Sequence, residues 1–259
     1  MKLSFLDIGT LFNKFENQSL FNISTYSICS SYLGKLRKSY ETNDIVKVRI
    51  EFLRNLPEVS ELPKPLPKEI KDIAERRKRY NEGTYFYQNF IEKYLDVVII
   101  HRRFDFEKWF AAEKTDKKRM IVEEIHGGML YLAEHFGWEK EPLILAFEAC
   151  KSANYENAWI VEKLGNKTSA NRKLKAAVYV EYDIDEFRTF AIISDKEGNL
   201  IQKTQIHTIN FLNKNIDIPD DIFDILKGKT KWEKTDFVLL NKKNVEIGRI
   251  SVNFELSKS

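Results

Sequence analysis

The sequence predicts an α+β protein, with a helical N-terminal and central part followed by a C-terminal antiparallel β meander. Two observations carry that expectation. Residues 105–152 keep helical periodicity between cap and stop signals, and KLKAAVYVEYD, EFRTFAIISD and LIQKTQIHTI then follow as strand-like runs. Runs of helix followed by runs of strand favour α+β over a doubly wound sheet. The expected divisions are a mixed N-terminal segment 1–62, a mostly helical region 63–157 and a β-rich region 158–259. The last two are open to being one continuous domain.

The elements read as follows. Residues 18–41 suggest a helix through Leu20, Ile23, Ile28, Leu36 and Tyr40. In VKVRIEF, Val46, Val48, Ile50 and Phe52 alternate with Lys47, Arg49 and Glu51, the period of a strand. Pro57, Pro63, Pro65 and Pro67 make the next stretch an extended linker, since each fixes φ and removes a donor. Pro67 is placed to open a helix through KEIKDIAERRKRY. YLDVVIIHRR reads as a strand. Asp105 is a cap for FEKWFAAEK, and Thr115 or Asp116 for the helix that Gly137 stops. Pro142 opens one further helix.

In the last third, DKEGN is a hairpin turn and PDDIFDILKG a short helix whose acidic first turn suits the helix dipole. DFVLL and VEIGRISVNFEL form a closing hairpin. The apolar parity of the second strand switches at Gly248, which predicts a bulge there.

Composition sets bounds on function. The chain has 259 residues, 43% of them apolar and 13% aromatic, enough for a large core and too much for disorder. Its 42 basic and 39 acidic residues leave a net charge of +3, which announces no polyanion partner. Asp7 interrupts the first apolar stretch, and no run approaches the ~20 apolar residues of a membrane span. Cys29 and Cys150 stand apart and make no framework. A cytoplasmic protein without cofactor and without membrane contact is expected.

The densest chemical segment is EEIHGGMLYLAEHFGW, residues 123–138. At 100° per residue Val122, Ile125, Met129, Leu132, Ala133 and Phe136 share one stripe, while Glu123, Glu124, His126, Glu134 and His135 fall opposite and point to solvent. His135 lies about 13 Å along the axis from His126 at 1.5 Å per residue, too far for one metal. A zinc helix needs ligands at i and i+4, so no metal site is expected. Gly127 and Gly128 each cost about 1 kcal/mol against alanine in a helix, which calls for a close neighbour, intramolecular or a partner chain.

Two basic segments, Arg76, Arg77, Lys78 and Arg79, and Lys229 and Lys231 beside Trp232, have the makings of a nucleic-acid contact, although acids lie near both. Phosphate-cradling loops and the G-x-S-x-G elbow are missing. Cys150 ends an apolar pattern and reads as a buried thiol rather than a nucleophile. Tyr85, Tyr87 and Trp232 sit among polar residues, as interface anchors do. The expectation is therefore a non-catalytic protein that binds another protein through Tyr85, Tyr87, Trp232, Gly127 and Gly128, an immunity- or antitoxin-like neutraliser being one version. The alternatives are a nucleic-acid-associated protein using segments 76–79 and 227–234, and a hydrolase built around His126 with Glu123 or Glu124.

Overall fold

The N-terminal part is organised by a sheet, not by helices. The computed structural model describes residues 1–10, 18–36, 40–54, 69–70, 88–165, 167–211 and 218–252. The proline-rich linker, Arg76, Arg77, Lys78, Arg79, Tyr85 and Tyr87 lie outside the described residues. The chain divides into two units, Met1–Glu156 and Asn157–Ser259.

In the first unit β1 (Phe5–Gly9), β2 (Lys47–Leu53), β3 (Glu69–Ile70), β4 (Ile91–Tyr94) and β5 (Val97–Arg103) form one sheet in the order β1-β2-β5-β4-β3. β1, β2 and β5 run parallel, β4 is antiparallel to β5, and β3 is parallel to β4. Helix α1 (Gln18–Lys35) is the crossover between the parallel β1 and β2. The expected helical N-terminus is thus corrected to a mixed sheet with a helix crossing over. Parallel pairing joins segments far apart in sequence, and β1 is only 5 residues long, so no local period announces it. Residues 69–70, expected in a helix, are strand and pair with Ile91 and Glu92. The single strand expected through YLDVVIIHRR is a hairpin that turns at Leu95, which is fully exposed and left-handed at φ 54°.

Helices α2 (Phe106–Ala111), α3 (Lys114–Phe136) and α4 (Glu141–Ser152) follow. Asp105 caps α2 as expected, its Oδ1 accepting from Lys108 N at 2.9 Å. The residue before α3 is Glu113, with no side-chain cap, in place of Thr115 or Asp116. Gly137 ends α3 in the left-handed region at φ 71°, and Pro142 sits in the first turn of α4. α3 lays Ile121, Val122, Ile125, Met129 and Leu132 into the core. Gly128 is where it meets the sheet: a Cβ there would stand 3.3 Å from Ile50 Cδ1 and 3.7 Å from Ile100 Cγ2. Beside it Phe21, Phe52, Phe104, Phe106 and Trp109 make an aromatic knot, with Phe52 and Phe104 stacked at 4.5 Å. Each such ring adds roughly 1.5–3 kcal/mol by burial alone.

The second unit is the expected meander. β8 (Leu174–Tyr182), β9 (Glu186–Asp195) and β10 (Leu200–Asn210) pair antiparallel, with β6 (Ala158–Ile160) and β7 (Lys167–Thr168) on the free side of β8. After α5 (Ile218–Leu226), β11 (Lys229–Glu233), β12 (Asp236–Leu240) and β13 (Glu246–Ser251) make a second, three-stranded sheet. β12 pairs Leu239 with Gly248 and Leu240 with Glu246, so Ile247 is the extra residue of a bulge beside Gly248. Gly248 lets β13 approach β10, since a Cβ there would lie 2.8 Å from Ile206 O. The chain is of mixed α+β class.

Candidate acid–base site on the N-terminal sheet

The sheet of the first unit has one apolar face and one charged face. Leu6, Ile8, Val48, Ile50, Phe52, Val98 and Ile100 alternate onto the apolar face under the helices and are buried. The opposite parity is set by register. Asp7 stands beside Arg49, Gly9 beside Glu51, Glu51 beside His101, and Glu92 beside Ile99. Neighbouring strands lie about 4.8 Å apart, so these groups form one cluster on two adjacent rungs, Asp7–Arg49–Ile99–Glu92 and Gly9–Glu51–His101.

The cluster is buried. Glu51, Glu92 and His101 have no exposed surface, and Asp7 is 8% exposed. Arg49 Nε donates to Glu51 Oε1 at 2.7 Å, and its Nη1 lies 3.5 Å from Asp7 Oδ2. Glu92 Oε2 accepts from the Tyr94 hydroxyl at 2.8 Å, and Glu92 Oε1 is 2.6 Å from His101 Nε2. With Glu92 ionised both its oxygens only accept, so Nε2 then donates to Oε1 and Nδ1 is the ring's acceptor nitrogen. Placing a charge in the interior costs several kcal/mol even when paired. Active sites are among the places where buried charged groups gather in this way.

Their position supports that view. Glu51 and His101 sit in the C-terminal halves of β2 and β5, the end of a parallel sheet at which ligands bind. Beyond those strand ends lies a cavity of about 580 Å³, with Arg54, Gln88, Arg103, Phe104 and Glu124 in its wall. Arg103 shares the face of His101, two residues further along β5.

The residues singled out from the sequence go elsewhere. His126 does not point into water. It is half-buried, stacked on Phe147 of α4 at 4.2 Å and 5°, with Nδ1 3.1 Å from the Tyr32 hydroxyl of α1. Glu124 is likewise half-buried and accepts from Arg102 Nε and Nη2 at 3.0 and 2.7 Å. The polar side of α3 is covered at Glu124 and His126, where α1, α4 and β5 reach it; Glu123, Glu134 and His135 stay exposed as expected. Gly127 has an intramolecular neighbour too, Arg102 Nη2, which a Cβ would meet at 2.9 Å. Cys150 is buried, and burial pushes its thiol up to about 11, which disfavours a nucleophilic thiolate. Lys229 and Lys231 project from β11, Lys231 toward Glu233 at 2.5 Å, and Trp232 Nε1 donates to Lys167 O at 2.9 Å. Among the described residues no three His, Cys, Asp or Glu groups converge as a metal would require, and no helix is long and apolar enough to cross a membrane.

Sequence reasoning missed Asp7, Arg49, Glu51, Glu92 and His101. One signal was present: charged positions alternate through VKVRIEF in a strand that, being parallel, is covered on both faces. No protein-family model, curated protein or solved structure matches the chain.

The setting of His126 has a consequence for pH. Burial lowers its proton affinity in the folded state, so below the ordinary histidine range the unfolded chain binds the proton first. Stability then falls as pH falls through that window. His207 is lowered by burial as well and acts in the same direction. His126→Gln is expected to lose less stability between about pH 7 and 5 than the wild type does, measured by urea midpoints. Equal losses would refute the assignment.

Proposed function

We propose that Met1–Glu156 is a catalytic unit of hydrolytic type that works by general acid–base chemistry, with His101 as the proton-transfer group. The observation that supports it is the His101–Glu92–Tyr94 chain, buried on the charged face beside Glu51. Glu92 holds the ring in one tautomer and stabilises the imidazolium that forms when Nδ1 takes a proton. Glu51, next to it across the ladder, is the second carboxylate of the site, and Arg49 sets its position. The cavity at the ends of β2 and β5 lies nearby, its wall including Arg103, two residues beyond His101 on the same face of β5. The non-catalytic, protein-binding reading leaned on an outward splay of His126 and Glu124, and both have intramolecular partners.

The test is turnover of chromogenic carboxylic and phosphoric esters by the full chain, compared with His101→Asn. A loss of about 10²–10⁴-fold is expected, the usual worth of a positioned acid–base group. Unchanged turnover in a folded His101→Asn variant ends the proposal.

A further inference from the structure

We propose that the outer face of the C-terminal meander is a platform for single-stranded nucleic acid. It is independent of the site on the first unit. The inner face of β8 and β9 buries Val178, Val180, Phe187 and Ala191. The outer face carries one row in register across the strands: Ile160, Tyr179, Phe190 and Gln205. Ile160 is 52% exposed, and Tyr179 and Phe190 are partly exposed, with ring centroids 6.1 Å apart.

Cations surround the rings. Lys203 Nζ lies 4.4 Å from the Tyr179 centroid and 4.5 Å from that of Phe190. Lys175 and Arg188 stand on the same face, one on either side of Tyr179 along the sheet. The carboxylates there are Glu181 and Glu186. Glu181 is 2.8 Å from Arg188 and 3.1 Å from Lys203, and Glu186 is 3.4 Å from Arg188. Three cations against two carboxylates leave the face weakly positive.

A base and Lys203 compete for the rings, and magnitudes decide between them. Lys203 is held there by cation–π contact worth about 0.5–1 kcal/mol at an exposed site and by an ion pair worth roughly 0–1 kcal/mol. Stacking one base on an aromatic is worth about 1–3 kcal/mol. The base displaces the ammonium from the rings, and its phosphate then receives Lys203. Partly exposed rings with an exposed ammonium over them fit a splayed single strand, whose bases are free to stack, and not a closed duplex.

The test is fluorescence anisotropy of a labelled oligouridylate with the full chain. With two to three phosphates contacted, raising salt from about 25 to 100 mM weakens binding about 7- to 18-fold. Phe190→Ala and Tyr179→Ala each weaken it about 5- to 150-fold, and a duplex of equal length competes poorly. Lys203→Glu, at an exposed position, reduces both the affinity and the salt slope. No binding at about 25 mM salt, or binding that Phe190→Ala, Tyr179→Ala and Lys203→Glu leave unchanged, overturns the proposal.

Discussion

Glu92→Ala is expected to cost the first unit about 3–5 kcal/mol, the usual penalty for removing one partner of a buried pair. Glu92 has no exposed surface and accepts from both Tyr94 and His101. Deleting its carboxylate takes an acceptor from a fully buried imidazole and from a half-buried phenol. Glu92→Gln keeps the volume and one acceptor oxygen, and so costs less. Urea denaturation of the three proteins measures both differences. A loss below about 1 kcal/mol for Glu92→Ala would mean that the pair behaves as an exposed one. The two variants also separate structure from chemistry. Glu92→Gln, folded but with a neutral group behind the ring, is expected to lose turnover out of proportion to its loss of stability. A purely structural Glu92 predicts that the two losses track each other.

What the sequence made legible follows from the range of the forces involved. The helices from Asp105 to Ser152 are marked by local chemistry: an aspartate that caps, a glycine that accepts φ 71°, a proline in a first turn. The meander strands are adjacent in the chain and covered on one face, so their alternation is plain and their turns carry Asp195 and Gly198. The N-terminal sheet lacks both aids. Its β2 joins β1 and β5 from far along the chain, and β1 offers only Leu6 and Ile8 as a pattern. The site was hidden for the same reason. In VKVRIEF the charged positions look like the wet side of a strand, and only the pairing shows that Glu51 is fully buried. His101 precedes two arginines, which suggests a strand end at the surface; yet Arg102 turns to Glu124 while His101 turns to Glu92. In α3 the period located the core stripe correctly. It did not reveal that α1 and α4 cover the other side, because a helix's own sequence does not state how many neighbours it has.

Gly9→Ala is expected to destabilise the first unit by about 3 kcal/mol, while Gly34→Ala, the same change elsewhere, is expected to stabilise it by up to about 1 kcal/mol. A Cβ on Gly9 would stand 2.4 Å from both carboxylate oxygens of Glu51 and 2.5 Å from Arg49 Nε. Neither group has an easy retreat. Glu51 is fully buried, and moving it breaks the 2.7 Å bond to Arg49 and shifts the neighbour of His101 in the ladder. Gly34 lies in α1 with nothing within 4 Å of its Cβ position, so alanine there only restricts the unfolded chain and favours the helix. Urea midpoints that move in opposite directions are the expected result. If both variants move together, the crowding at Gly9 is not real. A double-mutant cycle sharpens the test: Glu51→Ala removes the two oxygens that the new methyl meets and releases Arg49 from its bond to them, so Gly9→Ala must cost less in that background than in the wild type. Additive losses would place the cost of Gly9→Ala outside the Arg49–Glu51 pair and remove the reason for reading Gly9 as part of the site.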